Sequence, residues 1–201
     1  MKRIRVMAVD DSTLMRNMLS AIVNQQADME MVATAPDPLI ARDLIKQLNP
    51  DVLTLDIDMP RMDGLEFLSR LMRLRPMPVI MISSMTTRGS SATLNALEQG
   101  AVDFIPKPGN QMPGDLAAWG ALLADKIRGA AKANPNRYRL NAASGSLLAG
   151  IKTDASQIIA IGSSTGGTEA LRRVLTQMPL SSPGIVIAQH MPAGFTRSFA
   201  Q

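Results

Sequence analysis

Residues 52–72, VLTLDIDMPRMDGLEFLSRLM, change their period half-way, and that change decides the fold. Val52–Leu55 is a short apolar run of the kind that fills a buried strand. Asp56 ends it, a short acidic loop follows, and Gly64 precedes Leu65, Leu68, Leu71 and Met72 at helical spacing. Strand, polar loop and helix make the repeating unit of a parallel α/β sheet.

The same unit recurs on either side. Residues 4–9 (IRVMAV), 30–34 (EMVAT), 79–82 (VIMI) and 102–105 (VDFI) are further strand-like runs. Leu14, Met15, Met18, Leu19, Ile22 and Val23 form a helical face behind Ser12, a good N-cap. Leu39, Ile40, Leu44, Ile45 and Leu48 form another, and a third helical stretch lies around Leu116–Ile127. Five strands alternating with helices predict a doubly wound, five-stranded parallel sheet over residues 1–125. The fifteen methionines fall mostly on these apolar faces and read as core filler.

Beyond that, residues 126–153 read as a basic interdomain linker, with Pro, Asn, Gly and small residues and a weak apolar patch at Leu147–Leu148. Residues 154–201 resume an α/β pattern: strand 157–161, helix 168–177, strand 185–189 and a helix starting near Thr196. This is the expected start of a second, Rossmann-like parallel α/β catalytic domain. Two strands and a helix and a half are too little to close a core, so that domain is expected to be truncated here and to continue past Gln201.

Composition narrows the chemistry. With no cysteine, disulfides, thiolate metal sites and cysteine catalysis are excluded. MKRIRVMAVDD has too short an apolar run for a signal peptide, and no 18-residue apolar span occurs, so a cytoplasmic protein without membrane insertion is expected. Residues 1–125 hold 12 basic and 15 acidic residues, residues 126–153 six basic and none acidic, and residues 154–201 three basic and two acidic. The basic excess therefore sits in the linker, not on a nucleic-acid face, and no nucleic-acid partner is expected.

In an open parallel sheet the carboxyl ends of the strands share one rim, where ligands bind. Here those ends supply Asp10 and Asp11, Asp56, Ser83 and Ser84, and Lys107 followed by Pro108. Clustered carboxylates repel unless a cation neutralises them, which suits a hard divalent ion such as Mg²⁺. A carboxylate at Asp56 beside it could accept a phosphoryl group.

In that order and spacing, VDD, LDIDMPRMDG, MISS and DFIPKP resemble the receiver domain of two-component response regulators. The resemblance implies that Asp56 is the phospho-acceptor of a histidine kinase. It also implies a metal held by Asp10, Asp11, Asp56 and the backbone at Asp58, with Lys107 on the phosphoryl oxygens. Ser83 and Phe104 would be switch residues, and the Lys107–Pro108 bond would be cis.

The second constellation is Ile158–Val174, IIAIGSSTGGTEALRRV. Gly162 to Gly167 has the frame of a P-loop, but Thr168 and Glu169 replace the required Lys and Ser/Thr, which disfavours nucleotide binding. Gly162-Ser163-Ser164-Thr165-Gly166 fits G-x-S-x-G, a nucleophile turn centred on Ser164. Backbone amides at Thr165, Gly166 and Gly167 are candidate oxyanion donors. His190, the one histidine, ends the next strand, and neighbouring strand ends would put it within reach as general base. Glu169 belongs to the following helix, so an orienting acid is expected beyond Gln201.

A receiver linked to IAIGSSTGGTEALRRVL and VIAQHMPAGFTRSFA resembles the chemotaxis protein-glutamate methylesterase family. That implies demethylation of glutamate γ-methyl esters and deamidation of glutamines on methyl-accepting chemoreceptors. Ser163 would fill the turn, and the unphosphorylated receiver would pack against the catalytic face. The 201 residues alone are expected to be inactive. A stand-alone phospho-accepting module without esterase activity is the alternative.

Overall fold

The five apolar runs of the first part become five parallel strands, because each is bounded by helix-starting residues that turn the chain back over the sheet. The computed structural model describes residues 2–60, 62–83, 87–108, 116–133, 157–179, 181–191 and 193–200. In chain order, the first unit runs β1 (Ile4–Val9), α1 (Thr13–Asn24), β2 (Met29–Ala35), α2 (Pro38–Leu48) and β3 (Val52–Asp56). It continues with α3 (Gly64–Leu74), β4 (Val79–Ser83), α4 (Thr87–Glu98), β5 (Asp103–Pro106) and α5 (Leu116–Ala131). The sheet order is β2-β1-β3-β4-β5, all parallel, so the strand order reverses beside β1. A ligand crevice forms at such a point.

Local chemistry starts the helices where the pattern said they would begin. The Ser12 hydroxyl accepts from the Met15 amide at the head of α1, and Asp37 caps α2 with Pro38 at its first turn. Asp63 caps α3. Two apolar layers then close, one on each face of the sheet. Met7, Leu53, Leu55, Leu68 and Met81 lie on one face, and Val6, Leu19, Ile80, Ile105 and Ile127 on the other. Each large aliphatic side chain so buried stabilises the fold by about 1.5–3 kcal/mol.

The doubly wound reading holds, with edges moved by a residue or two. Helix α5 departs further: it runs through Ala131, so the linker expected from residue 126 begins inside a helix. The reason is burial. Ile127 and Ala130 face the sheet, and Lys126 is buried with its ammonium 2.8 Å from Asp103. Residues 134–156, including Leu147–Leu148, lie outside the described residues, as does Ser84.

A second short sheet follows, β6 (Ile158–Ser163), α6 (Gly167–Leu175), β7 (Gly184–Gln189) and α7 (Ala193–Ala200), with β6 and β7 parallel. It docks on the first unit through α4, which touches both α6 and α7. At the centre of the contact Phe195 is fully buried against Phe104, ring centroids 4.4 Å apart and tilted by 48°.

Candidate functional site

Strand ends bring Asp10, Asp56, Ser83 and Lys107 to one rim, the first three buried. The carboxylates of Asp10, Asp11 and Asp56 each offer an oxygen, and these lie within 4.8 Å of one another. Lys107 Nζ donates to Asp56 Oδ2 at 2.7 Å and sits 3.5 Å from Asp10 Oδ2. That Asp10 oxygen is buried with no hydrogen bond among the described residues, although the lysine charge is close. Three hard oxygen donors, one of them unsatisfied, fit a divalent cation. Asp58 is not one of the clustered carboxylates; its backbone N–H donates to Asp56 Oδ1 at 3.3 Å.

The loops are built to hold this rim. The Ser12 amide donates to Asp10 Oδ1, and Arg16 reaches back to the carbonyls of Asp10 and Asp11. Gly64 folds against the end of β3, where an added Cβ would lie 2.0 Å from the Asp56 carbonyl oxygen, so only glycine closes the loop. Lys107 is anchored by its own amide on the Ser83 carbonyl. No peptide bond among the described residues is cis, so the Lys107–Pro108 bond is trans, contrary to expectation. Trans is the lower-energy X–Pro form, and Lys107 reaches Asp56 from it.

Burial sets the electrostatics. It pushes the Asp56 carboxyl up to about 6, with the Asp10 charge adding to the rise and Lys107 opposing it. Asp10 is raised as well, again chiefly by burial. For Lys107 burial works downward, but Asp56 and Asp10 outweigh it and hold the ammonium above its usual value.

At the second rim, Ser163 ends β6 and Gln189 ends β7 as register partners. One residue further on, Ser164 Oγ lies 3.3 Å from His190 Nδ1. Gly166 has φ 74°, the left-handed conformation that the turn into α6 needs. The Gly167 amide is committed to the Ser164 carbonyl at 2.7 Å, leaving the amides of Thr165 and Gly166 as the turn's other candidate oxyanion donors. Glu169 forks onto Arg172 and Arg173, and these outweigh burial to hold its carboxyl below the ordinary range. Among the described residues Ser164 is the one hydrogen-bond partner of the His190 ring.

Comparison with known proteins matches both halves. A family model described as the response regulator receiver domain matches residues 6–116. This chain belongs to the response regulator receiver family. A second model, CheB methylesterase, matches residues 159–201, so the receiver is followed by the N-terminal part of a CheB methylesterase domain. The receiver of Thermotoga maritima CheB is 42% identical with a TM-score of 0.60, covering 67% of this chain and 100% of that one. The receiver of Mycobacterium tuberculosis NarL is 28% identical with a TM-score of 0.54, covering 64% and 99%.

Two curated relatives, from Escherichia coli K12 and Salmonella typhimurium LT2, are each 58% identical to the chain along its whole length. Both are named protein-glutamate methylesterase/protein-glutamine glutaminase. The chain spans 57% and 58% of their lengths.

Two residues, one in the second site and one in the receiver core, escaped the sequence reading. Gln189 is one, and its only signal was its place opposite Ser163 once the strands were paired. Lys126 is the other, hidden by its membership of a basic run. No helix among the described residues is long and apolar enough to cross a membrane.

Proposed function

We propose that this receiver-linked chain belongs to a cytoplasmic, phosphorylation-regulated hydrolase that demethylates glutamate γ-methyl esters and deamidates glutamines on chemoreceptors. One observation carries the reading: a serine hydroxyl and an imidazole 3.3 Å apart at adjacent strand ends, directly behind a receiver. Ser164 Oγ attacks the ester carbonyl while His190 Nδ1 takes its proton. The Thr165 and Gly166 amides face the developing oxyanion. His190 then protonates the leaving methoxide, methanol departs, and water repeats the sequence to free the glutamate. With a glutamine side chain the leaving group is ammonia.

Asp56 is the phospho-acceptor. Its carboxylate oxygen attacks the phosphorus of a phosphohistidine on the chemotaxis kinase, and the P–N bond breaks with the pair returning to the imidazole. Magnesium held by Asp10, Asp11 and Asp56, with the Asp58 carbonyl, would neutralise phosphoryl charge here. Lys107 already points its ammonium at Asp56 to meet the incoming oxygens. Ser83 and Phe104 report the change to the α4 face, where Phe104 meets Phe195. At Gly129 of α5 an added Cβ would lie 2.7 Å from Thr165 Cγ2, so receiver and nucleophile turn are in direct contact. Phosphorylation biases that contact, and its effect is bounded by the difference in contact energy between the two arrangements.

A phospho-accepting module without ester cleavage is the competing reading, favoured by the lack of a carboxylate on His190 among the described residues. Methanol release from methylated receptor fragments by the full-length protein decides between them. The esterase reading requires release that rises when Asp56 is phosphorylated and falls at least about 1,000-fold in S164A. Release unaffected by S164A would end it.

A further inference from the structure

We infer that Gln189 is a positioning residue for the Ser164–His190 pair, its side-chain amide clamping the main chain of both. The inference rests on the catalytic reading just given for what the pair does, but its geometry stands apart from it. Gln189 Nε2 donates to the Ser164 carbonyl and to the His190 carbonyl, each at 3.1 Å. Its Oε1 accepts from the Ser163 hydroxyl. One side chain therefore bonds to the nucleophile, the base and the residue before the nucleophile.

The orientation of that amide is fixed by its partners. Two backbone carbonyls can only accept, so the amino group must face them, and the hydroxyl of Ser163 is left to donate to Oε1. Other bonds reinforce the clamp. The His190 amide donates to the Ser163 carbonyl at 2.9 Å, and the Gly167 amide shares the Ser164 carbonyl with Gln189. Gly167 makes room for it: an added Cβ would lie 2.4 Å from Gln189 Oε1 and 2.8 Å from Ser163 Cβ.

The consequence is geometric. Ser164 and His190 lie just past the strand ends, where the His190 amide on the Ser163 carbonyl is the last backbone bond between the two strands. Without the amide, the Ser164 carbonyl keeps only the Gly167 amide and the His190 carbonyl loses the Gln189 donor, so the side-chain link between the two residues is gone and their relative placement loosens. A shift of about 1 Å between nucleophile and base is enough to cost about 100-fold in rate. A glutamate at 189 would be worse than an apolar side chain, because a carboxylate would face two carbonyl oxygens with no proton to offer.

In the full-length protein the His190 ring signals are identified by their loss in H190Q, so imidazole ¹⁵N spectra report on this pair. The test compares wild type, Q189M, S164A and the Q189M/S164A double variant at a pH where the ring is neutral. Q189A provides a second, smaller variant in case Q189M does not fold, and dispersed methyl spectra check folding. With Ser164 donating to Nδ1, the wild-type ring favours the Nε2–H tautomer. Q189M and S164A should move the ring nitrogens in the same direction, towards a tautomer mixture, and Q189M should add nothing in the S164A background.

Wild-type imidazole shifts in a folded Q189M or Q189A, or a Q189M effect undiminished by S164A, would overturn the inference. In the full-length protein Q189M should lower kcat by about 100-fold with KM nearly unchanged. Absence of ester hydrolysis in wild type, with the tautomer shifts as expected, would remove the catalytic reading and leave the clamp standing.

Discussion

Phe104 of the receiver and Phe195 of the second unit stack at 4.4 Å between ring centroids, both almost wholly withdrawn from solvent. Phe104 follows directly on Asp103 in the strand whose far end leads to Lys107, so the aromatic contact and the acidic pocket share β5. A change at the pocket has a short path to the interface. An aromatic pair of this kind contributes about 0.5–1.5 kcal/mol beyond its burial.

Weakening that contact should open the second unit without phosphorylation. F195A in the full-length protein is expected to raise basal methanol release by roughly 2- to 10-fold, the size of the lost pair energy. It should also shrink the activation given by phosphorylation. Steady-state assays with and without a phosphoryl donor measure both, and unchanged basal release in a folded F195A would show that the stacking does not restrain catalysis.

Asp56 is paired with Lys107, but burial outweighs the pair, so its pH dependence runs opposite to that of a carboxylate whose pKa an ion pair depresses. Its folded-state pKa is about 6 against 3.8 for the ordinary group. Between those values the native state binds the proton more tightly than the unfolded chain does, so stability falls as pH rises from about 4 to about 6. The shift corresponds to roughly 2–3 kcal/mol at neutral pH in the metal-free protein. D56N should therefore be more stable than wild type at pH 7, with the two converging below pH 4, as read by urea denaturation. Magnesium should recover stability at pH 7 in wild type and do little for D56N.

Gly64 carries a steric prediction. An added Cβ would sit 2.0 Å from the Asp56 carbonyl oxygen and 2.9 Å from Ile57 Cα, both backbone atoms that cannot step aside cheaply. G64A should cost about 1–3 kcal/mol in overpacking and slow phosphoryl transfer to Asp56 from acetyl phosphate. A stable G64A with wild-type transfer would mean that the loop tolerates displacement without moving the acceptor.

Much of this is legible in the sequence. Strand termini in a parallel sheet must share a rim, so reading what ends each strand was enough to gather Asp10, Asp11, Asp56, Ser83 and Lys107. The pairing of Ser164 with His190 followed from the same rule applied to two strands. Periodicity could not show partners that depend on register and depth. Gln189 looks like a polar strand end until it faces Ser163. Lys126 looks like a linker charge until α5 rolls it onto β5. Strand edges shifted for a related reason: hydrogen bonding carries a strand past its last apolar residue, as at Asp56 and Ser83.

Lys126 and Asp103 supply the last prediction. The ammonium and carboxylate are both nearly buried and lie 2.8 Å apart. That Asp103 oxygen makes no well-aligned hydrogen bond, so the attraction is mainly between charges, while the other oxygen accepts from the Phe104 amide at 2.7 Å. Removing only the lysine, as in K126M, strands a buried carboxylate and should cost about 3–5 kcal/mol. The double variant K126M/D103N removes both charges, keeps an oxygen for the Phe104 amide, and fills the lysine channel with an apolar stem. It should recover most of the loss, because a buried ion pair and an apolar substitute are often nearly equal in stability. Urea denaturation of the four proteins gives the coupling energy. Additive losses would mean that the charges do not act as a pair.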